Sequence, residues 1–134
     1  LNTKEYFDTL NMIDSLVFIS AIAPCKNQEM YDKNILMINN FVKAVFKCKI
    51  RHFIYISSDA VYKDSTAKIT ENDLLCDSNM HAKMHKDREL IIKKFCKTND
   101  IELSILRPTL VYGPGDTHNG YGPNKFIRES YNIS

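Results

Sequence analysis

The chain of 134 residues has no tryptophan, and its first 112 residues contain no glycine. All four glycines, Gly113, Gly115, Gly120 and Gly122, fall in one ten-residue window. A phosphate-cradling loop that needs glycine for its turn and close backbone approach must therefore lie near that window or outside this sequence. Cysteine supplies no motif either. Cys25, Cys48, Cys76 and Cys96 are irregularly spaced with no C-x-x-C pair, a pattern that argues against a zinc site and offers no disulfide framework. Neither sign of charge dominates: 18 Lys+Arg against 16 Asp+Glu leave +2, not the concentrated basic patch of a nucleic-acid binder. Apolar runs such as Leu16–Ile19 and Phe53–Ile56 are far too short to span a bilayer, and no secretory signal is in view.

What is present fits one soluble globular domain. Hydrophobic residues make up 44% and charged residues 25%, so the chain can bury a core. Leu16–Ala21, His52–Ser57 and Ile101–Leu106 are short runs rich in β-formers and apolar on both faces, as strands inside a parallel sheet are. Between them the period changes. Tyr31, Ile35, Ile38, Val42 and Val45 form a helical stripe within Gln28–Lys47, with Lys33, Asn40, Lys43 and Lys47 largely off it. Met80, Met84, Ile91 and Phe95 form another within Asn79–Lys97, with Asp87, Arg88, Lys93 and Lys94 mostly off it. Thr3–Met12 reads as the tail of a further helix, and Phe126–Tyr131 as the beginning of one.

This alternation predicts repeated βαβ units and an α/β fold with a parallel sheet. Lys63–Ser78 is polar and irregular, long enough for a functional loop. The chain opens with Leu1 and reads as an internal piece of a longer protein. An isolated piece of this kind, with an open edge on its first strand, is expected to aggregate or be molten.

In an open parallel sheet, ligands bind outside the carboxyl ends of the strands. Those ends read Ser20–Pro24, Ser57–Tyr62 and Arg107–Asp116, the last with its turn-rich Tyr112-Gly-Pro-Gly-Asp116. The combination of SSDAVY, a loop, a helix and then LSILRPTLVYGPGD resembles the extended short-chain dehydrogenase/reductase family, the NAD-dependent epimerase/dehydratases. The resemblance covers essentially the whole chain. It implies part of a Rossmann-like doubly wound parallel sheet over residues 1–111, and the start of a small C-terminal substrate lobe over 112–134. The glycine-rich dinucleotide loop would lie upstream.

The resemblance also implies a set of site residues. Ser58 matches the catalytic Ser/Thr that hydrogen-bonds the reacting oxygen, and a hydroxyl at a strand end suits that task. Ser57 and Ser58 could instead simply cap a turn. The family's Y-x-x-x-K falls on Met80–Lys86, with His81 in the tyrosine slot and His85 in the lysine slot. Spacing i to i+4 puts both on one helical face. His81 could exchange a proton near neutral pH. A charged His85 could supply part of the lysine's field, although mutual repulsion disfavours charging both. Lys83 and Lys86 lie on other sides of the helix. Two readings stand beside the acid/base one: partly buried polar residues on a packing helix, and a metal pair lacking a third ligand.

Ala21, Ile22 and Ala23 match the strand end that passes the cofactor, while Pro108, Thr109, Leu110 and Val111 match the segment against the nicotinamide, with Ser57 and His85 beside it. Asp59, Tyr62, Asn119, Asn124 and Lys125 are the substrate-side candidates with Ser58; Arg107 reads as structural. The implied activity is hydride transfer on a nucleotide-sugar with NAD or NADP, NAD being favoured by the resemblance. No metal, nucleic acid or membrane partner is expected. The implied whole is a cytoplasmic homodimer joined through the helices of Gln28–Lys47 and Asn79–Lys97. The alternative is a non-catalytic NAD(P)-binding sensor or scaffold of the same fold that has lost the Tyr/Lys pair.

Overall fold

Strand formation follows the β-branched and aromatic runs, and helix formation the two amphipathic stripes. The computed structural model of the chain describes residues 12–73, 75–109, 111, 113 and 122–131. Their order is β1 (Met12–Phe18), α1 (Gln28–Val45), β2 (Lys49–Ile56), a single 3-10 turn (Asp59–Val61), α2 (Met80–Thr98), β3 (Glu102–Leu106) and α3 (Gly122–Tyr131). The strands form one parallel sheet in the order β1-β2-β3, with Leu16, Phe53 and Leu103 in register across it. The α/β Rossmann-like architecture expected from the sequence is the one observed.

Both long helices pack on the same sheet face. Phe18 and Phe53 bracket Phe41 of α1 with ring centroids 4.4 and 6.2 Å away, and Phe53 meets Phe95 of α2 edge-on at 6.4 Å. Ile38, Val45, Tyr55, Ile92 and Cys96 complete a dry core around them. On the opposite face Val17 and Leu106 stay half exposed. Each of the two long helices starts at an asparagine cap: Asn27 Oδ1 accepts from the Met30 N–H, and Asn79 Oδ1 from the Ala82 N–H, both at 2.9 Å.

Several boundaries differ from the sequence reading. β1 starts at Met12 and stops at Phe18, because pairing with Lys49 and Ile50 extends it backwards through polar Asp14 and Ser15. Ser20 and Ala21 are therefore loop, and Met12 is strand rather than helix. Residues 3–11 lie outside the described part. α3 begins four residues before Phe126, at Gly122. Arg88, placed off the α2 stripe by its charge, is fully buried, because 84, 88 and 92 share one helix face with Met84 and Ile92. Residues 63–73 are exposed throughout, and a single bridge between Tyr62 and Leu75 closes the base of that loop.

Candidate functional site at the carboxyl ends of the strands

The loop after β1 carries Ala21, Ile22 and Ala23, and two buried side chains hold it in place. Asn34 of α1 accepts from the Ile22 N–H at 2.9 Å and donates Nδ2–H to the Ile22 carbonyl at 3.0 Å. Arg88 of α2 donates to the Ser20 carbonyl at 2.5 Å and to Asn34 Oδ1 at 3.4 Å. Its guanidinium lies beside the Phe18 and Tyr55 rings, 5.1 and 5.4 Å from their centroids. Ala21 and Ala23 remain exposed and small at the surface of the crevice. Replacing Asn34 with leucine should cost about 1–3 kcal/mol by stranding the Ile22 amide and carbonyl. Denaturant unfolding measures this, and hydrogen exchange at Ile22 should rise with it.

The ends of β2 and β3 are tied together. The Ser57 N–H donates to the Leu106 carbonyl at 2.7 Å and the Asp59 N–H to that of Pro108 at 3.3 Å. Ser57 turns inward and donates its hydroxyl to Glu89 Oε1 at 2.7 Å. Ser58 Oγ accepts from the Ala60 N–H at 3.2 Å, capping the 3-10 turn, and donates to Asp59 Oδ1 at 3.3 Å. Asp59 is exposed and Ser58 half-buried at the crevice.

Beneath this turn lies an ion network that the sequence reading did not find. Glu89, fully buried, accepts from Arg107 Nε at 2.9 Å and Nη2 at 2.7 Å, with Lys93 Nζ at 3.4 Å. Arg107 Nη1 donates to the Tyr62 hydroxyl, and its guanidinium lies 5.0 Å from the centre of the Tyr62 ring. Arg107 and Tyr62 thus link the ends of β2 and β3 to α2 through Glu89. Asp59, Tyr62, Pro108 and Thr109 also line an open cavity of about 920 Å³ beside β3, which His81 and His85 do not line.

His81 and His85 do share a helix face, their rings meeting edge-on at 4.7 Å. His81 Nδ1 accepts from the Cys25 backbone N–H at 3.3 Å, so the first turn of α2 meets the loop after β1. Burial lowers the His81 pKa, opposed by the Asp59 carboxylate. His85 is only 5% exposed, with Nδ1 3.1 Å from the Tyr55 hydroxyl. Burial, then the positive fields of His81 and Arg88, with Glu89 opposing, bring its pKa down to about 4. His85 is therefore neutral at pH 7, and in that state it adds no lysine-like charge. Burial pushes the Tyr55 phenol up to about 12, so it too stays protonated. Lys83 is engaged by Asp87 and Tyr31, and Lys86 by Asp77, away from this pair.

A pH dependence follows. A histidine whose folded pKa is about 4 and whose unfolded pKa is near 6.5 leaves stability intact above pH 6.5. Between those two values the unfolded chain takes up the extra proton, and stability falls by about 1.4 kcal/mol per pH unit. Unfolding measured from pH 7.5 to 4 should show this slope, and His85→Phe should remove it.

Of the remaining candidates, Asn124 donates Nδ2–H to the Gly113 carbonyl at 2.8 Å, tying α3 to the segment before it, and Lys125 faces Glu129 at 3.9 Å. Val111 is exposed. Leu110 and Asn119 lie outside the described residues. Cys25, Cys76 and Cys96 are free thiols. Among the described residues no three His, Cys, Asp or Glu side chains converge on a metal position, and no helix is long and apolar enough to cross a membrane.

Comparison with known proteins places this geometry. The NAD dependent epimerase/dehydratase family matches residues 6–132. No curated protein matches. Solved structures do. A UDP-N-acetylglucosamine 4-epimerase from Methanobrevibacter ruminantium M1, in complex with UDP-N-acetylmuramic acid, superposes with a TM-score of 0.81 at 20% identity, over 100% of this chain and 45% of that one. A UDP-N-acetylglucosamine 4-epimerase from Bacillus cereus gives 0.78 at 20% identity, over 97% and 46%. A UDP-glucuronic acid 4-epimerase from Bacillus cereus, in complex with NAD, gives 0.77 at 20% identity, over 100% and 43%. The chain spans less than half the length of these structures, and the likeness at this identity is one of fold.

Proposed function

The chain belongs to the NAD-dependent epimerase/dehydratase family, and from that premise we propose that this protein is an epimerase, dehydratase or reductase acting on a nucleotide-sugar with NAD(P). The observation that carries the reading is the meeting of three elements at the carboxyl end of a parallel sheet. The Ser58–Asp59 turn, the loop after β1 and His81 on the first turn of α2 come together there, with His81 bonded to the Cys25 amide and in the field of Asp59.

The donor set fits a dinucleotide in shape, since exposed Ala21 and Ala23 let backbone approach a flat ligand, with Ile22 and Cys25 fixing their loop. It departs from the family pattern in charge, because the lysine slot holds a buried neutral imidazole. When bound, NAD(P) supplies reversible removal and return of a hydride. The chain's own part is positional. Pro108 and Thr109, with Leu110 and Val111 after them, would flank the nicotinamide half, and Ser57 would fix the β2 end through Glu89. Ser58 would hydrogen-bond the reacting oxygen, with His81 beside it. Asp59, Tyr62, Asn119, Asn124 and Lys125 would face the sugar nucleotide from the turn and from the start of a substrate lobe over 112–134. A homodimer through α1 and α2 belongs to the same reading; Leu36 and Leu90 are exposed apolar residues on those helices.

Neutral His85 favours a second reading, a cofactor-binding sensor or scaffold without turnover. The intact protein, given NAD or NADP and a panel of nucleotide-sugars, separates the two by product masses and nicotinamide absorbance. Turnover of any sugar is the expected result. Tight cofactor binding without turnover across the panel would move the assignment to the second reading, and failure to bind either cofactor would remove both.

A further inference from the structure

We propose that His81 serves this site as a neutral hydrogen-bond donor, presenting Nε2–H to a ligand oxygen, with its tautomer fixed by the Cys25 backbone amide. The inference rests on the strand-end crevice being the binding site, and it assigns His81 a role other than the acid/base exchange of the tyrosine it stands for.

The argument begins with a group that has only one option. A backbone N–H donates and cannot accept, so the ring nitrogen facing it must offer a lone pair. The Cys25 N–H meets Nδ1 of His81 at 3.3 Å, and the hydrogen of the neutral ring therefore sits on Nε2. The amide is not free to move away. Cys25 is 3% exposed, its thiol is 3.8 Å from the Asn27 carbonyl, and Asn34 clamps the preceding loop at Ile22.

Nε2 has no partner among the described residues. The buried side-chain nitrogens and oxygens there are all satisfied except Arg88 Nε, so His81 Nε2 is open to solvent or ligand. A proton added to Nδ1 would confront the Cys25 hydrogen and break that bond. The other groups facing the ring are Asp59 from the 3-10 turn, which favours the cation, neutral His85 from α2, and the Cys25 thiol, which burial keeps protonated. Burial outweighs Asp59, so these groups together keep the ring neutral.

In that state His81 cannot abstract a proton at Nε2, because the lone pair lies on the other nitrogen. Giving up Nε2–H would leave an imidazolate, which is inaccessible in water. What remains is polarisation: a neutral imidazole N–H aimed at a carbonyl or alkoxide oxygen stabilises negative charge there. The ligand class this favours is a sugar nucleotide bearing a keto oxygen over its hydroxyl counterpart.

The test reads the ring directly. Intact protein labelled with 15N-histidine is followed by two-bond 1H–15N spectra from pH 6 to 8, with His81→Gln identifying the resonance. The expected result is unprotonated Nδ1 and protonated Nε2 at pH 7 and above. An Nδ1–H tautomer, or a doubly protonated ring at pH 7, overturns the proposal. His81→Phe, which removes the N–H, should weaken nucleotide-sugar binding by about tenfold, and His81→Gln, which keeps an amide N–H near the Nε2 position, should recover part of that affinity. A loss of about a hundredfold or more in turnover with affinity intact would instead make His81 the proton exchanger and overturn it. A protein that turns over no sugar but shows the fixed tautomer refutes the enzyme reading and leaves this inference standing.

Discussion

Glu89→Ala is expected to destabilise the protein by about 3–5 kcal/mol, the cost of removing one partner from a buried ion pair. The carboxylate is fully buried and receives two hydrogen bonds from Arg107 and one from Ser57, so its removal leaves a guanidinium and a hydroxyl unsatisfied at the junction of β2, β3 and α2. Burial raises the Glu89 pKa, but the hydrogen bonds from Arg107 and Ser57 and the charges of Arg107 and Lys93 outweigh it and hold it below 4.5. A carboxyl lowered in the fold contributes its full stability above its unfolded pKa and loses it as pH falls through the folded value. The difference between wild type and variant should therefore persist from pH 8 to 5 and shrink only below pH 4.5. Glu89→Leu combined with Arg107→Met should recover much of the loss, because apolar residues of similar volume often replace a buried pair at little cost. Thermal and urea unfolding of the single and double variants supply the comparison. A single variant within about 1 kcal/mol of wild type would mean that solvent reaches the pair and screens it.

The second large effect concerns restoring the family's lysine. His85→Lys is expected to lower stability by about 3 kcal/mol rather than to repair the site, since a buried lysine is forced towards neutrality at about 1.4 kcal/mol per unit of pKa. The position is 5% exposed, faces the Tyr55 hydroxyl, and lies in the field of the Arg88 guanidinium. Two cations would then share one pocket. Arg88→Ala alone should also destabilise, through the lost bonds to Ser20 and Asn34 and the vacated space beside Phe18 and Tyr55. The double variant should lose clearly less than the sum of the singles, with a coupling of about 1–2 kcal/mol in a double-mutant cycle. Additivity would show instead that the new ammonium snorkels past Arg88 to the crevice and is solvated there.

These two clusters differ in how readily the sequence gives them away. Ser57, Ser58, His81 and His85 stand in local patterns, at a strand end or four residues apart on a helix, and periodicity suffices to put them on one side of the sheet. Glu89 and Arg107 are 18 residues apart on different elements, and each alone reads as a solvated charge. A signal existed on α2, where His81, His85 and Glu89 follow one another at a spacing of four, so a charge on the face of the histidines pointed inward. Arg88 was harder to foresee, because a buried guanidinium set against two aromatic rings breaks the rule that charge marks the outer face of a helix.

The sequence by itself determined the class of fold, the order of the elements and the crevice at which chemistry is sought. Hydrophobic period and chain-local turn residues decide those features, and both are written in neighbouring positions. Only the tertiary structure decided the protonation states. Whether His85 carries a charge depends on its burial against Tyr55 and on Arg88 beside it, and which nitrogen of His81 holds the hydrogen depends on an amide 56 residues away in the chain. Desolvation and charge fields are sums over everything packed around a group, and no stretch of sequence contains that sum.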